Sequence, residues 1–302
     1  MNSIKNYLSL IKFSHTIFAM PFALIGYFLG IADFTSIVPG WHTRIFPINI
    51  EWDFILLKLG LVILCMVFAR SAAMAFNRYL DYKWDALNPR TEIREIPKGI
   101  ITPSNALIFT IFNCGLFILT TYFINHLCFY LSPVALIVVL GYSYTKRFTA
   151  LCHIILGIGL ALAPIGAYLA VTGSFHWLPI LFSFAVLFWV SGFDIIYALQ
   201  DVEFDQSQSL YSIPAVLGKE SGLRISEILH LLSLATVVLA GKLGFFGWLY
   251  WLGVLVFGIC LVYQHSIVKP NDLRRVNLAF MTMNGIASVV FAVFVISDLF
   301  VK

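Results

Sequence analysis

The sequence predicts an all-α polytopic membrane protein, and three observations support that fold class. Hydrophobic residues make up 60% of the 302 residues and charged residues only 11%, whereas soluble globular proteins carry roughly 25% charged residues. So few charges cannot cover the surface of a soluble fold. In addition, residues 99–145 and 148–193 contain no Asp, Glu, Lys or Arg. Soluble enzymes, disordered proteins and disulfide-stapled secreted domains are therefore excluded.

Nine transmembrane helices are predicted, because a helix needs about 20 mostly apolar residues to cross the hydrocarbon core. The run 99–145 is long enough for two helices with a turn near Asn125, and the run 148–193 for two more with a turn at 172–174. Five further apolar runs each predict one helix: 13–32, 59–77, 228–241, 243–268 and 276–297.

The basic residues predict how these helices are oriented. A cytoplasmic N-terminus places most of the 19 Lys and Arg residues in cytoplasmic segments, as the positive-inside rule requires. We expect a bacterial inner membrane, with the lipid bilayer as the surrounding medium and the C-terminus outside. The chain is predicted to form one domain, 1–302, with pseudo-repeat halves at about 1–147 and 148–268 and a last helix at 276–298.

Net charge and cysteine content exclude a few other interpretations. The net charge of +4 is explained by cytoplasmic loops, so it does not indicate a nucleic-acid partner, and no protein partner is inferred. The five cysteines are scattered through apolar runs without a C-x-x-C pair. They predict neither a disulfide framework nor a zinc site.

Two acidic motifs interrupt the apolar pattern in the same way. Each has the form Asp-x-x-x-Asp near the cytoplasmic end of a predicted helix, Asp81 with Asp85 and Asp201 with Asp205. Residues four apart lie on one helical face, and like charges at that spacing repel. Each pair, with Asn77 one turn before the first, therefore predicts a bound cation. Hard oxygen ligands of this kind suit Mg²⁺, which prefers one or two carboxylates plus phosphate oxygens.

Other polar residues share the faces of these motifs. Arg70 falls on the face of the first motif one layer deeper, and Asp194 and Tyr197 fall on the face of the second. Ionisable residues inside a span are functional candidates by default. Three basic residues are candidates for binding a diphosphate, whose outer oxygens need positive charge: Arg94, Lys146 and Arg147.

Some residues near the motifs have a simpler interpretation. Arg90 and Lys98 are explained by the positive-inside bias alone. His153 and His230 lie in apolar runs and are interpreted as packing residues.

Together these motifs resemble those of the UbiA superfamily of intramembrane prenyltransferases. The resemblance is carried by Asn77-x-x-x-Asp81-x-x-x-Asp85, Asp201-x-x-x-Asp205 and the intervening Tyr142-x-x-x-Lys146-Arg147, and it spans essentially the whole chain. It implies nine helices around a central cavity with the active site facing the cytoplasm. It also implies Mg²⁺ as cofactor, bridging the diphosphate of a polyprenyl donor. Its ligands by motif position are Asn77, Asp81, Asp85, Asp201 and Asp205.

The resemblance also implies roles for the remaining candidates. Residues at matching basic and tyrosine positions are expected to bind substrate: Arg70, Arg94, Tyr142, Lys146 and Arg147. Tyr142 and Tyr197 are candidates for stabilising an allylic cation by cation–π contact. Asp194 is expected to position or deprotonate the acceptor, and His15 to contact it.

The acceptor implied by the resemblance is a small aromatic acid of quinone biosynthesis, of the 4-hydroxybenzoate or dihydroxynaphthoate type. Residues 13–23 and 212–218 are most similar to the branch thought to prenylate a dihydroxynaphthoate in the futalosine route to menaquinone. Two positions depart from the 4-hydroxybenzoate enzymes. Their early Arg-x-x-Lys-Pro appears here as Lys12-Phe-Ser-His15-Thr16, and their Lys before the serine of the second loop appears as Tyr211.

Two alternatives remain open at the level of sequence. A cation-coupled transporter would also carry carboxylates in its helices and use internal repeats, but near mid-membrane rather than at helix ends. A second alternative is an enzyme of the same superfamily with a non-quinone acceptor such as haem, chlorophyll or a glycerol phosphate.

Overall fold

The computed structural model describes residues 2–11, 19–34 and 51–301, and these residues are almost entirely helical. They contain no β-strand beyond an isolated bridge between Lys269 and Asp272. The α-helices in chain order are α1 Asn2–Leu10, α2 Met20–Phe34, α3 Trp52–Leu87, α4 Pro103–Ile124, α5 His126–Thr145, α6 Cys152–Thr172, α7 Trp177–Ala198, α8 Val202–Ser207, α9 Ile213–Leu217, α10 Lys219–Leu243, α11 Trp248–Ile267 and α12 Asn284–Val301.

The prediction of an all-α, multi-pass membrane protein is confirmed. Eight helices in the described ranges are long and apolar enough to cross a membrane. The helix α2 is equally apolar, but it has 15 residues and follows a segment outside the described residues. The count of nine spans and the cytoplasmic N-terminus therefore stay predictions.

Two of the predicted turns lie where the sequence placed them. Asn125 separates α4 from α5, and its side chain accepts a hydrogen bond from the backbone N–H of Cys128 at 2.8 Å, which caps α5. Gly173 ends α6 in a left-handed conformation with φ of 67°, which glycine adopts without steric cost.

The second span is longer than predicted, and the helix of the second motif is shorter. The helix α3 extends well beyond 59–77 to 36 residues, about 54 Å at 1.5 Å per residue, so its last turns rise past the roughly 30 Å hydrocarbon core. By contrast α7 ends at Ala198. A 3₁₀ turn, Leu199–Asp201, leads into α8. The prediction that Asp194 to Asp205 lie on one continuous helical face is therefore wrong.

The short helix α1 packs against the segment 88–101 that follows α3. Buried Leu10 lies in one apolar cluster with Ile96 and Ile101, Tyr7 stacks on Phe109 at 4.8 Å between ring centroids, and the Ser9 hydroxyl donates to Glu95. The segment 88–101 is therefore held down over the end of α3 that carries the first acidic motif.

The helices α6 and α7 approach each other closely at Gly157. A Cβ at this position would lie 2.6 Å from the backbone oxygen of Leu187 and would also collide with the hydroxyl of Ser191. Ser191 in turn donates to the backbone oxygen of His153 at 3.1 Å. Contact between the two backbones thus fixes how the residues of α6 and α7 face each other.

Replacing Gly157 with alanine should therefore destabilise the protein. Overpacking between rigid elements costs typically 1–3 kcal/mol, so we expect Gly157→Ala to lower the thermal unfolding temperature in detergent. Gly166→Ala on the same helix is the control, because nothing lies within 4 Å of a Cβ there. If both variants unfold at the wild-type temperature, the close α6–α7 contact is wrong.

Candidate active site

The two acidic motifs converge at one end of the helix bundle, where the turn after α5 joins them. Arg147 donates from Nη2 to Asp81 Oδ1 at 3.2 Å, and Lys146 Nζ lies 2.8 Å from Asp205 Oδ1. Because adjacent residues of one turn contact the two motifs, the carboxylates of α3 and α8 must lie in the same region. These contacts bring the two motifs together, as the sequence predicted.

The segment 88–101 makes a second bridge between the motifs. Arg94 donates from Nη1 to Asp85 Oδ1 at 2.5 Å. Arg90 binds Asp201 with two donors, Nε to Oδ1 at 2.9 Å and Nη2 to Oδ2. Asn88 fixes this arrangement: its side chain accepts from the backbone N–H of Arg90 at 2.9 Å and donates to Asp201 at 3.1 Å.

Each carboxylate of the two motifs thus has its own basic partner in a largely dry environment. Asp85, Asp201 and Asp205 are buried, Asp205 completely. Buried charges persist only when they are paired and hydrogen-bonded. Further donors reach two of them: Arg78 approaches Asp85 Oδ2 at 3.8 Å, and the hydroxyl of Ser212 donates to Asp205 at 3.1 Å.

All four basic partners lie outside the membrane helices, and two of them, Lys146 and Arg90, have raised pKa values. Burial opposes the charge of Lys146, but the neighbouring carboxylates of Asp205 and Asp201 outweigh burial and raise the pKa of its ammonium group. Burial likewise opposes the charge of Arg90, and its hydrogen bonds to Asp201 outweigh burial and raise its pKa. Both side chains therefore stay positively charged through the physiological range.

The donor set fits Mg²⁺ bound together with a phosphate rather than by protein alone. No group of three or more His, Cys, Asp or Glu side chains in the described ranges is arranged to hold a metal ion. Mg²⁺ commonly takes only one or two carboxylates and completes its shell with phosphate and water oxygens. The buried Oδ2 of Asp85 accepts no hydrogen bond from the described residues and lies 3.8 Å from the guanidinium of Arg78, so it is a candidate ligand oxygen.

A second polar layer lies deeper in the bundle than the motifs. Arg70 precedes Asn77 by seven residues on α3, which is two helical turns or about 10 Å, and Asp194 precedes Asp201 by seven residues across the 3₁₀ turn that follows α7. Tyr142 on α5 lies within electrostatic reach of both Arg70 and Asp194, and of Asp81. The buried Nε of Arg70 donates no hydrogen bond within the described residues.

Asp194 differs from the other acidic candidates in its partner. Its Oδ2 lies 2.7 Å from Nδ1 of His153, and it has no Lys or Arg within ion-pair distance in the described ranges. Its side chain is one-quarter exposed, so part of the carboxylate is accessible from inside the bundle.

The sequence also matches a known family over most of its length. The model of the UbiA prenyltransferase family matches residues 19–286. The chain belongs to the UbiA prenyltransferase family. It is therefore a prenyltransferase enzyme and an integral, multi-pass membrane protein, and the cation-coupled transporter is not supported.

Two relatives of this UbiA-family enzyme carry the same name. It is 30% identical to the 4-hydroxybenzoate octaprenyltransferase of Citrobacter koseri over 74% of its own chain and 76% of the relative. It is 31% identical to the 4-hydroxybenzoate octaprenyltransferase of Nitrosomonas europaea, over 80% of its own chain and 82% of the relative.

Solved structures share the fold. The apo structure of a UbiA homolog from Aeropyrum pernix K1 superposes with a TM-score of 0.75 at 25% identity, covering 94% of this chain and 96% of that one. A UbiA homolog from Archaeoglobus fulgidus bound to DMAPP and Mg²⁺ superposes with a TM-score of 0.70 at 20% identity, covering 98% and 100%.

The remaining candidates of this prenyltransferase take different places. Asn77 donates to Asp81 at 3.1 Å, so it belongs to the first motif. The hydroxyl of Tyr197 accepts from Arg90 Nη1 at 2.7 Å, and its ring lies 4.3 Å from that of Phe280. His15 lies outside the described residues.

Sequence reasoning missed three residues of the site. Arg90 binds Asp201 instead of serving only the positive-inside bias, Asn88 shapes the turn that presents it, and His153 contacts Asp194 instead of only packing. A signal for Arg90 was available, because it precedes Arg94 by four residues after the first motif. Nothing in the sequence distinguished His153 from a packing histidine.

The pair formed by Lys146 and Asp205 yields a test that separates stability from activity. Lys146→Met leaves the fully buried carboxylate of Asp205 without its cation, which should cost about 2 kcal/mol. Adding Asp205→Asn removes the stranded charge, so the double variant should recover most of the unfolding temperature in detergent. Its prenyl transfer should stay lost because both groups belong to the site. Full stability of Lys146→Met alone would contradict the pairing.

Proposed function

We propose that this enzyme transfers a polyprenyl group from a polyprenyl diphosphate to a small aromatic acid, of the 4-hydroxybenzoate or dihydroxynaphthoate type, in quinone biosynthesis. The reaction depends on Mg²⁺ and takes place at the cytoplasmic side of a bacterial inner membrane. The observation that carries the proposal is the convergence of two Asp pairs, three of whose four members are buried, and their basic partners at one end of a membrane bundle.

The diphosphate is assigned to the outer polar layer. The four acidic residues and Asn77 would hold Mg²⁺, which when bound would supply positive charge that neutralises the diphosphate. The four basic partners, now paired with carboxylates, bind the outer oxygens of the diphosphate. Arg90, Arg94 and Arg147 suit this role because a guanidinium can bind two phosphate oxygens at once.

The aromatic acid is assigned to the inner layer. The buried guanidinium of Arg70, with its free Nε, binds the carboxylate of the acceptor. The carboxylate of Asp194 would repel that group and instead accepts a hydrogen bond from the acceptor's hydroxyl. Tyr142 is close enough to both Arg70 and Asp194 to interact with them electrostatically, so we assign it to the boundary between the two substrates.

The proposed chemistry is an electrophilic substitution on the acceptor ring. The C–O bond of the donor breaks and its electron pair leaves with the diphosphate, whose growing charge is stabilised by the basic residues. The allylic cation is stabilised by the rings of Tyr142 and Tyr197. A ring carbon of the acceptor then forms a bond to the cation, and the ring proton passes to Asp194. Exclusion of water by the bundle prevents hydrolysis of the cation.

Two observations favour different acceptors. The named relatives use 4-hydroxybenzoate. However, Tyr211 stands where those enzymes carry a lysine, and its backbone N–H donates to the backbone oxygen of Lys146 at 2.7 Å. Tyrosine carries no positive charge at this position, and this departure from the 4-hydroxybenzoate pattern favours the other acceptor type, a dihydroxynaphthoate.

Product analysis tests the proposal. Membranes containing the enzyme receive Mg²⁺, prenyl diphosphates of mixed length and a panel of aromatic acids, and the products are identified by mass spectrometry. We expect one prenylated aromatic acid that is missing from membranes without the enzyme. A prenylated haem, chlorophyll or glycerol phosphate instead would identify the superfamily alternative, and the absence of any product would overturn the proposal.

Removing one carboxylate from either motif should abolish activity. Asp81→Asn and Asp201→Asn keep the side-chain volume but lose the charge that would hold Mg²⁺, so we expect prenyl transfer per folded enzyme to fall at least 100-fold. Asp272→Asn is the control, because Asp272 is exposed and pairs only with Arg274. Activity retained by either motif variant would remove the assignment of Mg²⁺ to these residues.

Removing the guanidinium of Arg90 should weaken donor binding. Arg90→Gln loses the charge that the diphosphate requires, so KM for the prenyl diphosphate should rise roughly 10-fold, as loss of a charged hydrogen bond worth about 1.5 kcal/mol implies. Lys219→Gln serves as the control because Lys219 pairs with the exposed Glu203. An unchanged KM in steady-state kinetics would contradict a role for Arg90 in donor binding and would leave only its contribution to the positive-inside bias.

A further inference from the structure

We propose that His153 is the positioning residue for Asp194: it orients this carboxylate as the proton acceptor for the aromatic substrate. The inference rests on the proposed function, since it concerns how the ring proton is removed. It begins from a contact on α6 and α7, where Nδ1 of His153 lies 2.7 Å from Oδ2 of Asp194.

The protonation of the ring follows from its second contact. The backbone N–H of Ile213 donates to Nε2 of His153 at 3.3 Å, and a backbone amide nitrogen can only donate. Nε2 is therefore a bare acceptor, so the hydrogen of the neutral ring is on Nδ1. His153 donates that hydrogen to Asp194 as a neutral partner.

A neutral partner suits a carboxylate that must take up a proton. Asp81, Asp85, Asp201 and Asp205 each contact an Arg or Lys, and a nearby cation favours the ionised form of a carboxyl group by 1–3 pKa units. Asp194 is held through Oδ2 alone, so its Oδ1 is left to receive the proton. His153 thus orients the carboxylate through one oxygen without placing a Lys or Arg charge beside it.

The imidazole is held at both ring nitrogens, by Asp194 at Nδ1 and by the backbone N–H of Ile213 at Nε2. His153 is 3% exposed, and the hydroxyl of Ser191 lies 3.1 Å from its backbone oxygen, one turn before Asp194 on α7. The close approach of the two helices at Gly157 keeps this contact from loosening. General bases act efficiently only when their geometry is fixed, and these contacts supply that.

The same ring connects the inner layer to the outer one. Ile213 follows Ser212, whose hydroxyl donates to Asp205 at 3.1 Å, and Asp205 contacts Lys146. The position of the carboxylate that receives the proton is thus fixed relative to the residues assigned to the diphosphate, which places the acceptor ring against the reacting end of the donor.

The test uses the full-length enzyme in nanodiscs with the acceptor that product analysis identifies. His153→Phe fills the space but removes the N–H donor, so kcat should fall 10- to 100-fold while KM for the prenyl diphosphate stays within twofold. With an acceptor deuterated at the reacting carbon, His153→Phe should show a kinetic isotope effect above that of the wild type, because proton removal becomes slow. His153→Asn places an amide N–H near the Nδ1 position and should recover most of kcat.

A double variant keeps the test decisive if His153→Phe folds poorly. Because His153 acts through Asp194, adding His153→Ala, which also lacks the N–H donor, to Asp194→Asn should lower kcat by less than threefold beyond Asp194→Asn alone, whereas independent roles would multiply. His230→Gln is the control for losing a buried histidine that also contacts α7, at the backbone oxygen of Trp189, and should keep wild-type kinetics.

The outcomes separate this inference from the proposed function. A wild-type enzyme that prenylates an aromatic acid, with unchanged kcat and isotope effect in His153→Phe, would overturn the inference alone. Independent, multiplicative losses in the double variant would do the same. A wild-type enzyme without aromatic product would overturn both.

Discussion

The site depends on the pairing of four carboxylates with basic side chains: each carboxylate has an Arg or Lys partner, and Asp85 has two, Arg94 and Arg78. Asp85, Asp201 and Asp205 are buried, and the cost of burying an unpaired charge is several kcal/mol. Apart from Arg78, the basic partners come from two places in the chain, the segment 88–101 and the turn after α5. These two connections therefore hold the two acidic motifs together at this end of the bundle. The same pairs prepare the site chemically, because each guanidinium or ammonium group already lies beside the carboxylate with which it would share a metal-bound diphosphate.

Helix geometry sorts the polar residues into two layers with different electrostatic character. The outer layer is crowded with fixed charges of both signs, which suits a highly charged diphosphate and divalent cations. Two turns deeper, Arg70 and Asp194 are sparsely paired, with Tyr142 within electrostatic reach of both. That layer suits a small aromatic molecule with one acidic and one hydroxyl group. Asp194 of the deep layer and its partner His153 lie on α7 and α6, whose backbones approach closely at Gly157.

Much of this was predictable from the sequence, and the exceptions have physical reasons. The spacing of Asp81 and Asp85, the matching second motif and the uncharged runs predicted the class of fold and the convergence of the acids. The end of α7 at Ala198 was not predictable, because the sequence Ala-Leu-Gln-Asp contains no helix-breaking residue. The break therefore depends on packing with the rest of the protein. Arg90 was missed because its contact depends on how the segment 88–101 turns back over α3, guided by Asn88. His153 was missed because a lone histidine in an apolar run has no pattern, and its partner lies 41 positions away.

The most direct test of this account is the affinity for an inert prenyl thiolodiphosphate, measured by calorimetry as the Mg²⁺ concentration is raised. If the carboxylates bind the diphosphate only through divalent ions, the affinity should be weak without Mg²⁺ and should rise steeply with it. Binding that is equally tight with and without Mg²⁺ would contradict the account, because the basic residues alone would then recognise the donor and the four carboxylates would have no part in holding it.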